Sequence, residues 1–573
     1  MVLPTPTTPK IDSCQSLIQG QAKILADRLY GADGPPPGTL FAEMEQIALT
    51  LAEQLRKRFL DLLLVRQAEA MHRNLAQEHC LCPSCGQQTA AQEPEPRVLR
   101  CRAAVVEWME PQRYCTRCRK AFFPQSKLLG IDTGHYSTAL LDLIVYAGAN
   151  KASFREASHD LLKMSGQTVL EKQVERLTKR IGLERLDERQ AAVEQFAKLP
   201  LMTRCDQTPK GVSAPADEYV AVVMADAGML QLRDASAKPN EEEESLAALA
   251  GDTTEPDEIE EDDDQDKPPS GRHWREDKVG LVLTMKSEVS QTDPCPEIPE
   301  TFINQQRVGK IVRGLKKSAA LRAEEDGVAQ ASSASSPEEA SEEQEIDYEG
   351  PKLEKRQVLA SRKSWPIFGV MLACMAWMAG FSKAKRKAFV ADGARAIWRV
   401  WKSRFSSYVP ILDFIHAMSY VYAAAKAVGE NEAEGWRLYV EWIRWVWLGE
   451  VVRVIERLQQ WQQEHGTPEK GESATTNRSV VVKSLRYLTN NQDKMKYAEY
   501  RKQGLPLVSS LVESMVKQIS RRVKGTEKFW GDEGAEAVLQ LRADYLSDGE
   551  VMEGFWHRRQ KAVTGQRPYR TNS

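Results

Sequence analysis

Three acidic residues, far apart in the chain, lie in sequence contexts suited to binding a divalent metal. Asp226 follows the apolar run of EYVAVVMADAG, Asp392 follows that of KAFVADGAR, and Glu513 lies in the helix-like segment PLVSSLVESMVKQISRRVKG. A carboxylate at the end of a buried strand is costly unless it has a partner. Two strand-end aspartates and a helical glutamate can converge as oxygen ligands of divalent ions, which suits the cleavage and joining of phosphodiester bonds. Taken singly, each acid is equally well explained as a helix cap or salt-bridge partner.

Two C-x-x-C pairs, CPSC and CTRC, form a second group of possible ligands. Four thiolates at this spacing can hold one ion tetrahedrally, so the pattern predicts a zinc ribbon over residues 79–125 with a structural Zn²⁺. The predicted ligands are Cys82, Cys85, Cys115 and Cys118. Cys80 and Cys101 lie close in sequence, as spare thiols or substitute ligands. Arginines around the second pair leave open whether the module also contacts DNA.

The segment 153–182 has the pattern of two helices joined by a turn near Ser165–Gly166, with the second helix starting near Thr168. In a helix-turn-helix unit the second helix enters the major groove of DNA. The predicted DNA contacts are Thr168, Lys172, Gln173 and Arg176. The alternative is an ordinary helical hairpin, which has the same pattern.

Charge is distributed unevenly along the 573 residues. Residues 241–266 hold 14 acids and no Lys or Arg, and residues 323–349 hold 10 acids and again no base. Without these segments the formal net charge changes from −3 to +21. A basic body favours a polyanionic partner. The composition of the acidic segments predicts disorder, either as solvated linkers or as a DNA mimic that covers the basic surface.

Composition also limits the class of protein. The length predicts several domains. The N-terminus lacks a signal-peptide pattern, and no apolar run reaches the roughly 18 residues of a membrane span. We therefore expect a cytoplasmic, nucleoid-associated protein without a membrane partner. Ten cysteines in such a chain indicate metal binding or buried thiols rather than disulfides.

The order of predicted elements indicates an α/β fold. A hairpin signal over 217–235, with a turn at Ala227–Gly228, is followed by a strand at Lys278–Lys286 and a helix at 300–322. An apolar helix near 366–380, a strand at 387–391, a helix at 394–404 and a short strand in YVPILDF follow. Three strands and then helix, strand, helix, strand is the order of an RNase H-like fold with a mixed sheet and helices on both sides.

The predicted elements divide the chain into domains. The divisions are an N-terminal helical region (1–78), the zinc ribbon (79–125), a helix-turn-helix-like region (126–200), an RNase H-like catalytic domain (201–414 and 506–550) with disordered acidic insertions (241–269 and 323–350), a helical insertion domain (415–505) and a C-terminal tail (551–573). Tryptophans of the helical insertion form either a core or a stacking surface for DNA bases.

The blocks AVVMADAGMLQLRD, FVADGARAIWRVWKSRF, PILDFIHAMSYVYAAA and GLPLVSSLVESMVKQISRRVKG resemble those of DDE transposases, and most closely the Kra-type group of insertion-sequence transposases. The resemblance implies that Asp226, Asp392 and Glu513 are a catalytic triad. It also implies that Asp413 and His416 form a D-x-x-H signature. The expected Asp-Gly-Gly-Arg turn is replaced here by Asp226–Ala227–Gly228–Met229, so an arginine is missing.

The resemblance implies an enzyme that binds the terminal inverted repeats of its element, cleaves there and joins the ends to target DNA. The triad would hold two Mg²⁺ ions, with Mn²⁺ as a substitute, and His416 would be structural or act on a phosphate or leaving group. The partners would be double-stranded DNA and a second copy of the chain or more. Further DNA contacts are expected after Glu513, at Lys517, Arg521, Arg522 and Lys524. A domesticated, non-catalytic regulator and a nuclease without strand transfer are the alternatives.

Overall fold

The protein is described by a computed structural model. It covers residues 19, 20, 23, 24, 27, 34–73, 76–233, 273–323, 349–469, 471–525 and 528–567. The predicted acidic insertion 241–269 lies outside the described residues, and so does the insertion 323–350 apart from residues 323, 349 and 350. The chain folds into two units, the first formed by residues 1–148, 154–177 and 552–573 and the second by residues 149–153 and 178–551.

The described helices and strands are numbered here in chain order. The α-helices are α1 (Phe41–Arg73), α2 (Pro124–Leu129), α3 (Thr138–Asn150), α4 (Phe154–Ser165), α5 (Glu171–Lys198), α6 (Leu201–Asp206), α7 (Gln305–Ala323), α8 (Trp365–Met378), α9 (Arg395–Arg404), α10 (Phe414–Val428), α11 (Glu432–Trp447), α12 (Val451–His465), α13 (Asn477–Asn491), α14 (Tyr497–Lys502), α15 (Ser510–Val523), α16 (Asp532–Leu546) and α17 (Val551–Lys561). The strands are β1 (Ala90–Arg100), β2 (Val105–Cys115), β3 (Lys120–Phe122), β4 (Tyr219–Leu232), β5 (Trp274–Lys286), β6 (Lys352–Ser361), β7 (Lys387–Ala391), β8 (Val409–Leu412) and β9 (Phe529–Trp530).

The first unit is built around the antiparallel sheet β1-β2-β3. Helix α1 buries Leu64 and Ala68 against Leu99, Val106 and Trp108 of the sheet. Leu64 and Ala68 are four residues apart and therefore lie on one side of α1.

The predicted C-terminal tail is partly helical and belongs to the first unit. It contains α17, and the chain then returns to the sheet, where Phe123 N donates to Gly565 O at 2.8 Å. Arg567 pairs with the buried carboxylate of Glu110 and lies over the Phe123 ring. Because Glu110 is fully buried, losing this arginine would leave its charge uncompensated.

The second unit contains a mixed sheet in the order β6-β5-β4-β7-β8, with β9 pairing β4 as well. β4, β5 and β6 pair antiparallel, whereas β4–β7 and β7–β8 are parallel. Alternate residues of β4, which are Ala221, Val223 and Ala225, pack in one core with α8 and α9. The other face of β4 carries Asp226 and is covered by α15. The predicted mixed α/β organisation is therefore confirmed.

The predicted hairpin within 217–235 is wrong. β4 is one continuous strand that pairs with β5 from Tyr219 to Gln231. Gly228 does not reverse the chain; instead it makes room for the opposite residue, since a Cβ there would lie 2.9 Å from Asp277 Oδ2. The sequence signal for a turn thus corresponds to a close cross-strand approach.

The third antiparallel strand is β6, which the sequence pattern does not reveal. Its first half, KLEK, is exposed and charged, and its last four residues are buried. An edge strand of this kind lacks the apolar alternation on which strand prediction depends. The strand β7 and the helical insertion, by contrast, agree closely with the predicted bounds.

Candidate metal sites and basic surfaces

Asp226 and Asp392 lie on adjacent parallel strands of the second unit. β4 and β7 pair from Ala221 with Lys387 to Met224 with Val390. Each aspartate lies two positions beyond the last pair of this β4–β7 register. Adjacent strands lie about 4.8 Å apart, so this register brings the two acids side by side.

The prediction that Asp226 ends a strand is wrong, because β4 continues six residues further to Leu232. Asp226 is nevertheless at the end of the pairing with β7, and the next strand on that side, β9, joins only at Gln231. Asp226 is buried, and its Oδ1 accepts a hydrogen bond from Ala227 N at 2.7 Å. Asp392 is a strand-end residue as predicted, and its Oδ1 accepts from Ala394 N at 3.0 Å.

Glu513 approaches these acids from α15, which packs on β4. Burial raises the pKa of Glu513, and the negative charges of Asp413 and Asp226 raise it further. The positive charges of His416 and Lys517 act in the opposite direction. The structure therefore brings Glu513 within electrostatic range of Asp226. A raised pKa is expected where carboxylates lie close together and are buried.

Asp413 connects the helix that carries His416 with the helix that carries Glu513. It caps α10, and its Oδ1 accepts from Ile415 N at 2.6 Å and from His416 N at 3.1 Å. Its Oδ2 accepts from both the backbone N, at 2.5 Å, and the hydroxyl of Ser509, the residue before α15. These donors and His416 hold the pKa of Asp413 below its usual range despite complete burial.

His416 lies between the acids. Its Nδ1 is 3.6 Å from Asp413 Oδ1 and 3.9 Å from Glu513 Oε1. Both distances are beyond a hydrogen bond, so the contacts are ionic. Burial lowers the pKa of His416, but Asp413, Asp392 and Glu513 outweigh it and raise the pKa to about 10. The ring is therefore a cation at neutral pH.

One set of these residues offers ligand atoms close enough together to hold a metal. Asp413, His416 and Glu513 offer ligand atoms within 4.8 Å of one another. However, both oxygens of Asp413 already accept hydrogen bonds, and His416 would have to lose its proton to become a ligand. Asp226 and Asp392 are not part of this group, although carboxylate oxygens like theirs are the ligands that Mg²⁺ prefers. The charged His416 suits a group that neutralises a phosphate or donates a proton.

Helix α15 continues from Glu513 into a basic stripe. Lys517 and Arg521 are exposed and follow Glu513 at intervals of four residues, so they share its side of the helix. Lys524 lies over the Trp274 ring at 5.2 Å. The prediction that Arg522 contacts DNA is contradicted, because Arg522 is only 2% exposed and packs against Trp530.

The first unit holds the predicted thiolate group. The four Sγ atoms of Cys82, Cys85, Cys115 and Cys118 lie within 4.8 Å of one another. Each C-x-x-C pair forms a knuckle, that is, a tight turn after its second cysteine. The turns contain Gly86 (φ +70°) and Arg119 (φ +54°), both in the left-handed backbone conformation. Cys80 and Cys101 are outside the group, and Cys101 Sγ donates to Ala104 O instead.

The pKa values of the cysteine thiols are also consistent with a cation-binding site. Burial raises the pKa of Cys82, but hydrogen bonds, first from the backbone of Ser84 and Cys85, lower it to about 7. Hydrogen bonding to Cys85 raises the pKa of Cys118 to about 12. Four adjacent thiols cannot all ionise without a cation, and tetrahedral thiolate groups of this kind bind zinc.

The predicted helix-turn-helix segment does form two helices, α4 and α5, around Gly166 at φ +67°. The second helix begins at Glu171 rather than near Thr168, because Ser158 Oγ donates to Val169 O at 2.6 Å and Val169 is buried. Thr168 is therefore in the connecting segment. Lys172 and Arg176 are exposed at the start of α5, and Gln173 accepts a hydrogen bond from Arg176 at 2.7 Å.

Three tryptophans of the helical insertion, Trp442, Trp445 and Trp447, are buried core residues. Trp447 also packs against the buried guanidinium of Arg501 at 4.0 Å. Trp436 and Trp461 are partly buried, and Trp461 stacks on His465. The core interpretation of this cluster is therefore the correct one for these three side chains.

Sequence reasoning missed several residues around the acids. Ser509 could have been suspected, since serine is a common residue at the start of a helix. Tyr487 donates from its hydroxyl to Asp392 O at 2.6 Å, and Asp277 is a buried carboxylate opposite Gly228. Neither has a local sequence signal, because each depends on a contact between distant segments.

Within the described ranges, no helix is both long and apolar enough to traverse a lipid bilayer. Comparison with protein families finds no family model that matches the chain. Comparison with curated proteins likewise finds no match.

Proposed function

We propose that the chain is a DDE-type DNA transposase of the Kra-type group of insertion sequences. The observation that carries the proposal is a cluster of charges at one side of the second unit's sheet, where Glu513 lies within electrostatic range of Asp226, and His416 within range of Asp392 and Glu513. The strand order supports an RNase H-like catalytic domain, because three antiparallel strands are followed by two parallel ones on the opposite side of β4. On this proposal residues 415–505 are an insertion within that domain.

The missing arginine weighs little against this proposal. Met229 replaces it, and Met229 is buried. Because side chains alternate along an unbroken strand, Met229 points to the opposite face of the sheet from Asp226. An arginine at this position would not lie among the acids.

Asp226, Asp392 and Glu513 would hold two Mg²⁺ or Mn²⁺ ions, which supply an activated water or 3′-hydroxyl and stabilise the leaving oxygen. Asp413 fixes the separation of α10 and α15 and thereby orients His416 and Glu513. His416, as a cation, would bind the phosphate or give its proton to the leaving oxygen. Lys517 and Arg521 would neutralise backbone phosphates next to the scissile bond.

DNA ends would be recognised by the first unit. Lys172 and Arg176 at the start of α5, and the arginines around the zinc module, would contact the terminal repeats. Synapsis of two ends requires at least two copies of the chain. Such an enzyme would act in the cytoplasm at the nucleoid.

The decisive experiment compares cleavage with DNA binding. Asp226→Asn, Asp392→Asn and Glu513→Gln should each abolish Mg²⁺-dependent cleavage of DNA that carries the element's ends, while mobility shifts of that DNA are retained. Asp217→Asn is the matched control, since Asp217 is an exposed acid just before β4 that pairs with Lys385. Cleavage that survives a triad substitution, or that proceeds in EDTA, contradicts the proposal. Cleavage without joined products would indicate a nuclease, and binding alone a regulator.

A further inference from the structure

The side chain of Tyr487, in the helical insertion, packs directly on the turn that carries Asp392. Its hydroxyl donates to Asp392 O at 2.6 Å. The next residue, Gly393, has φ +104°, and a Cβ there would lie 2.8 Å from a Tyr487 ring carbon. The ring thus occupies the space that only a glycine at 393 leaves open.

Tyr487 is itself held by two other elements. Its ring stacks on Tyr420 of α10, with centroids 3.7 Å apart and an interplanar angle of 11°. Tyr487 O accepts from Asn491 Nδ2 at 2.9 Å, and Asn491 Oδ1 accepts from Trp398 Nε1 at 3.0 Å. Trp398 belongs to α9, the helix that follows the Asp392 turn. The insertion therefore holds this turn at the carbonyl of Asp392 and at the helix behind it.

The hydroxyl is a dependable donor. A tyrosine hydroxyl has an ordinary pKa of about 10 and therefore carries its proton at neutral pH. A fixed donor to the carbonyl of Asp392 limits rotation of the peptide that follows its Cα. Because Asp392 Oδ1 accepts from Ala394 N in the same turn, holding this turn also limits the direction of the carboxylate.

We infer that Tyr487 is a positioning residue of the acid site, through which the helical insertion orients Asp392 toward Asp226 for divalent metal binding. This inference rests on the proposed function, since it assumes that the acids hold metal. It makes the insertion an integral part of the metal site. Residues that orient metal ligands typically contribute about tenfold or more to metal affinity.

The test is a Mn²⁺ titration of the full-length protein, followed by the electron paramagnetic resonance signal of free Mn²⁺. Mn²⁺ sites that are present in wild type and absent in Asp392→Asn are assigned to the acid site. Mn²⁺ ions that bind the acidic segments remain in both proteins and are thereby distinguished. Tyr487→Phe removes only the hydroxyl and should weaken those sites about tenfold. Gly393→Ala, which pushes against the same ring, should give a similar loss.

Tyr500→Phe is the matched control. Tyr500 is also buried and donates to a backbone carbonyl, Pro410 O, at 3.0 Å, but it lies at β8 rather than beside an acid. Its variant should keep wild-type Mn²⁺ affinity at a similar melting temperature. Equal Mn²⁺ affinity of Tyr487→Phe and wild type overturns the inference, as does the absence of any site lost in Asp392→Asn. Failure of wild-type protein to cleave DNA contradicts the proposed function instead, and leaves this comparison intact.

Discussion

Asp226, within β4, and Asp392, directly after β7, each lie two residues beyond Met224 and Val390, the last pair of the β4–β7 register. The parallel register places both aspartates just past the end of the β4–β7 pairing, on the same side of the sheet. Glu513 arrives from a helix that packs on the same face, 121 residues after Asp392 in the chain. Two of the three acids thus depend on sheet pairing, and the third on helix packing, which accounts for the distance between them in sequence.

Removal of one thiol from each knuckle should release zinc. Purified protein is expected to contain about one equivalent of Zn²⁺, because four thiolates complete a tetrahedral site. The double variant Cys82→Ser with Cys115→Ser should contain almost none. Metal content measured by plasma mass spectrometry checks this.

Cys101→Ser is the control for the zinc measurement. Cys101 is a buried thiol of the same unit that bonds to a carbonyl and is outside the thiolate group. Its zinc content should equal that of wild type. Less than about half an equivalent in wild-type protein, unchanged in the double variant, would refute the zinc site.

Short sequence patterns predict those features that depend on neighbouring residues in the chain. The bounds of β7 and the identity of the four cysteines follow from short patterns, an apolar run before a polar turn and two paired thiols. The sequence around Asp226 predicts a turn only if Gly228 is taken as the point where the chain reverses direction. The glycine in fact allows Asp277 to approach from β5, which only the paired strands can reveal.

Long-range contacts explain the remaining differences. β6 is an edge strand with a charged half, so its sequence has no strand signature. Tyr487 contacts Asp392 across 95 residues. Arg522 belongs to a basic run in the sequence, yet it is buried and its guanidinium lies over the Trp530 ring. Each of these depends on the tertiary arrangement rather than on the neighbouring residues.

Neutralising the acidic segments should strengthen non-specific DNA binding. The 24 acids of 241–266 and 323–349 reduce the charge of an otherwise basic chain, and fixed anions compete with phosphates for basic side chains such as Lys517 and Arg521. Replacing every acid of both segments by Gln or Asn keeps the chain length. At low salt the dissociation constant for random duplex DNA should fall by about tenfold or more, as measured by fluorescence anisotropy.

Salt provides the internal check of that experiment. The difference between variant and wild type should shrink as salt rises, since added ions screen the competition. A second variant, with both segments replaced by Gly-Ser linkers of equal length, should behave like the neutral one. If affinity is the same in all three proteins at low salt, the segments are inert linkers.

Asp277 gives the second unit a stability that depends on pH. It is 1% exposed, and neither of its oxygens accepts a hydrogen bond from another described residue. Burial raises its pKa to about 7, against the opposing charge of Lys278, while Glu276 raises the pKa and Arg362 lowers it. The folded protein therefore holds a proton on Asp277 that the unfolded chain releases.

Stability should accordingly fall as pH rises. Between the unfolded pKa of 3.8 and the folded pKa of about 7, the folded state binds more protons than the unfolded state, so the free energy of unfolding decreases with pH and levels off above pH 7. A difference of about three pKa units corresponds to about 4 kcal/mol from this group. Asp277→Asn, which cannot ionise, should lack this decrease in the free energy of unfolding with rising pH.

Asp277→Asn should therefore be more stable than wild type at pH 8, and the difference should narrow as pH falls toward 5. Urea midpoints or melting temperatures at pH 5, 6, 7 and 8 measure this, with the variant compared with wild type at each pH so that other titrating groups cancel. Glu218→Gln is the matched control, because Glu218 is an exposed acid just before β4 that pairs with the exposed Lys286. It should shift stability only slightly across this range, as expected of a surface pair. A constant difference between Asp277→Asn and wild type from pH 5 to pH 8 would show that Asp277 does not carry the buried proton.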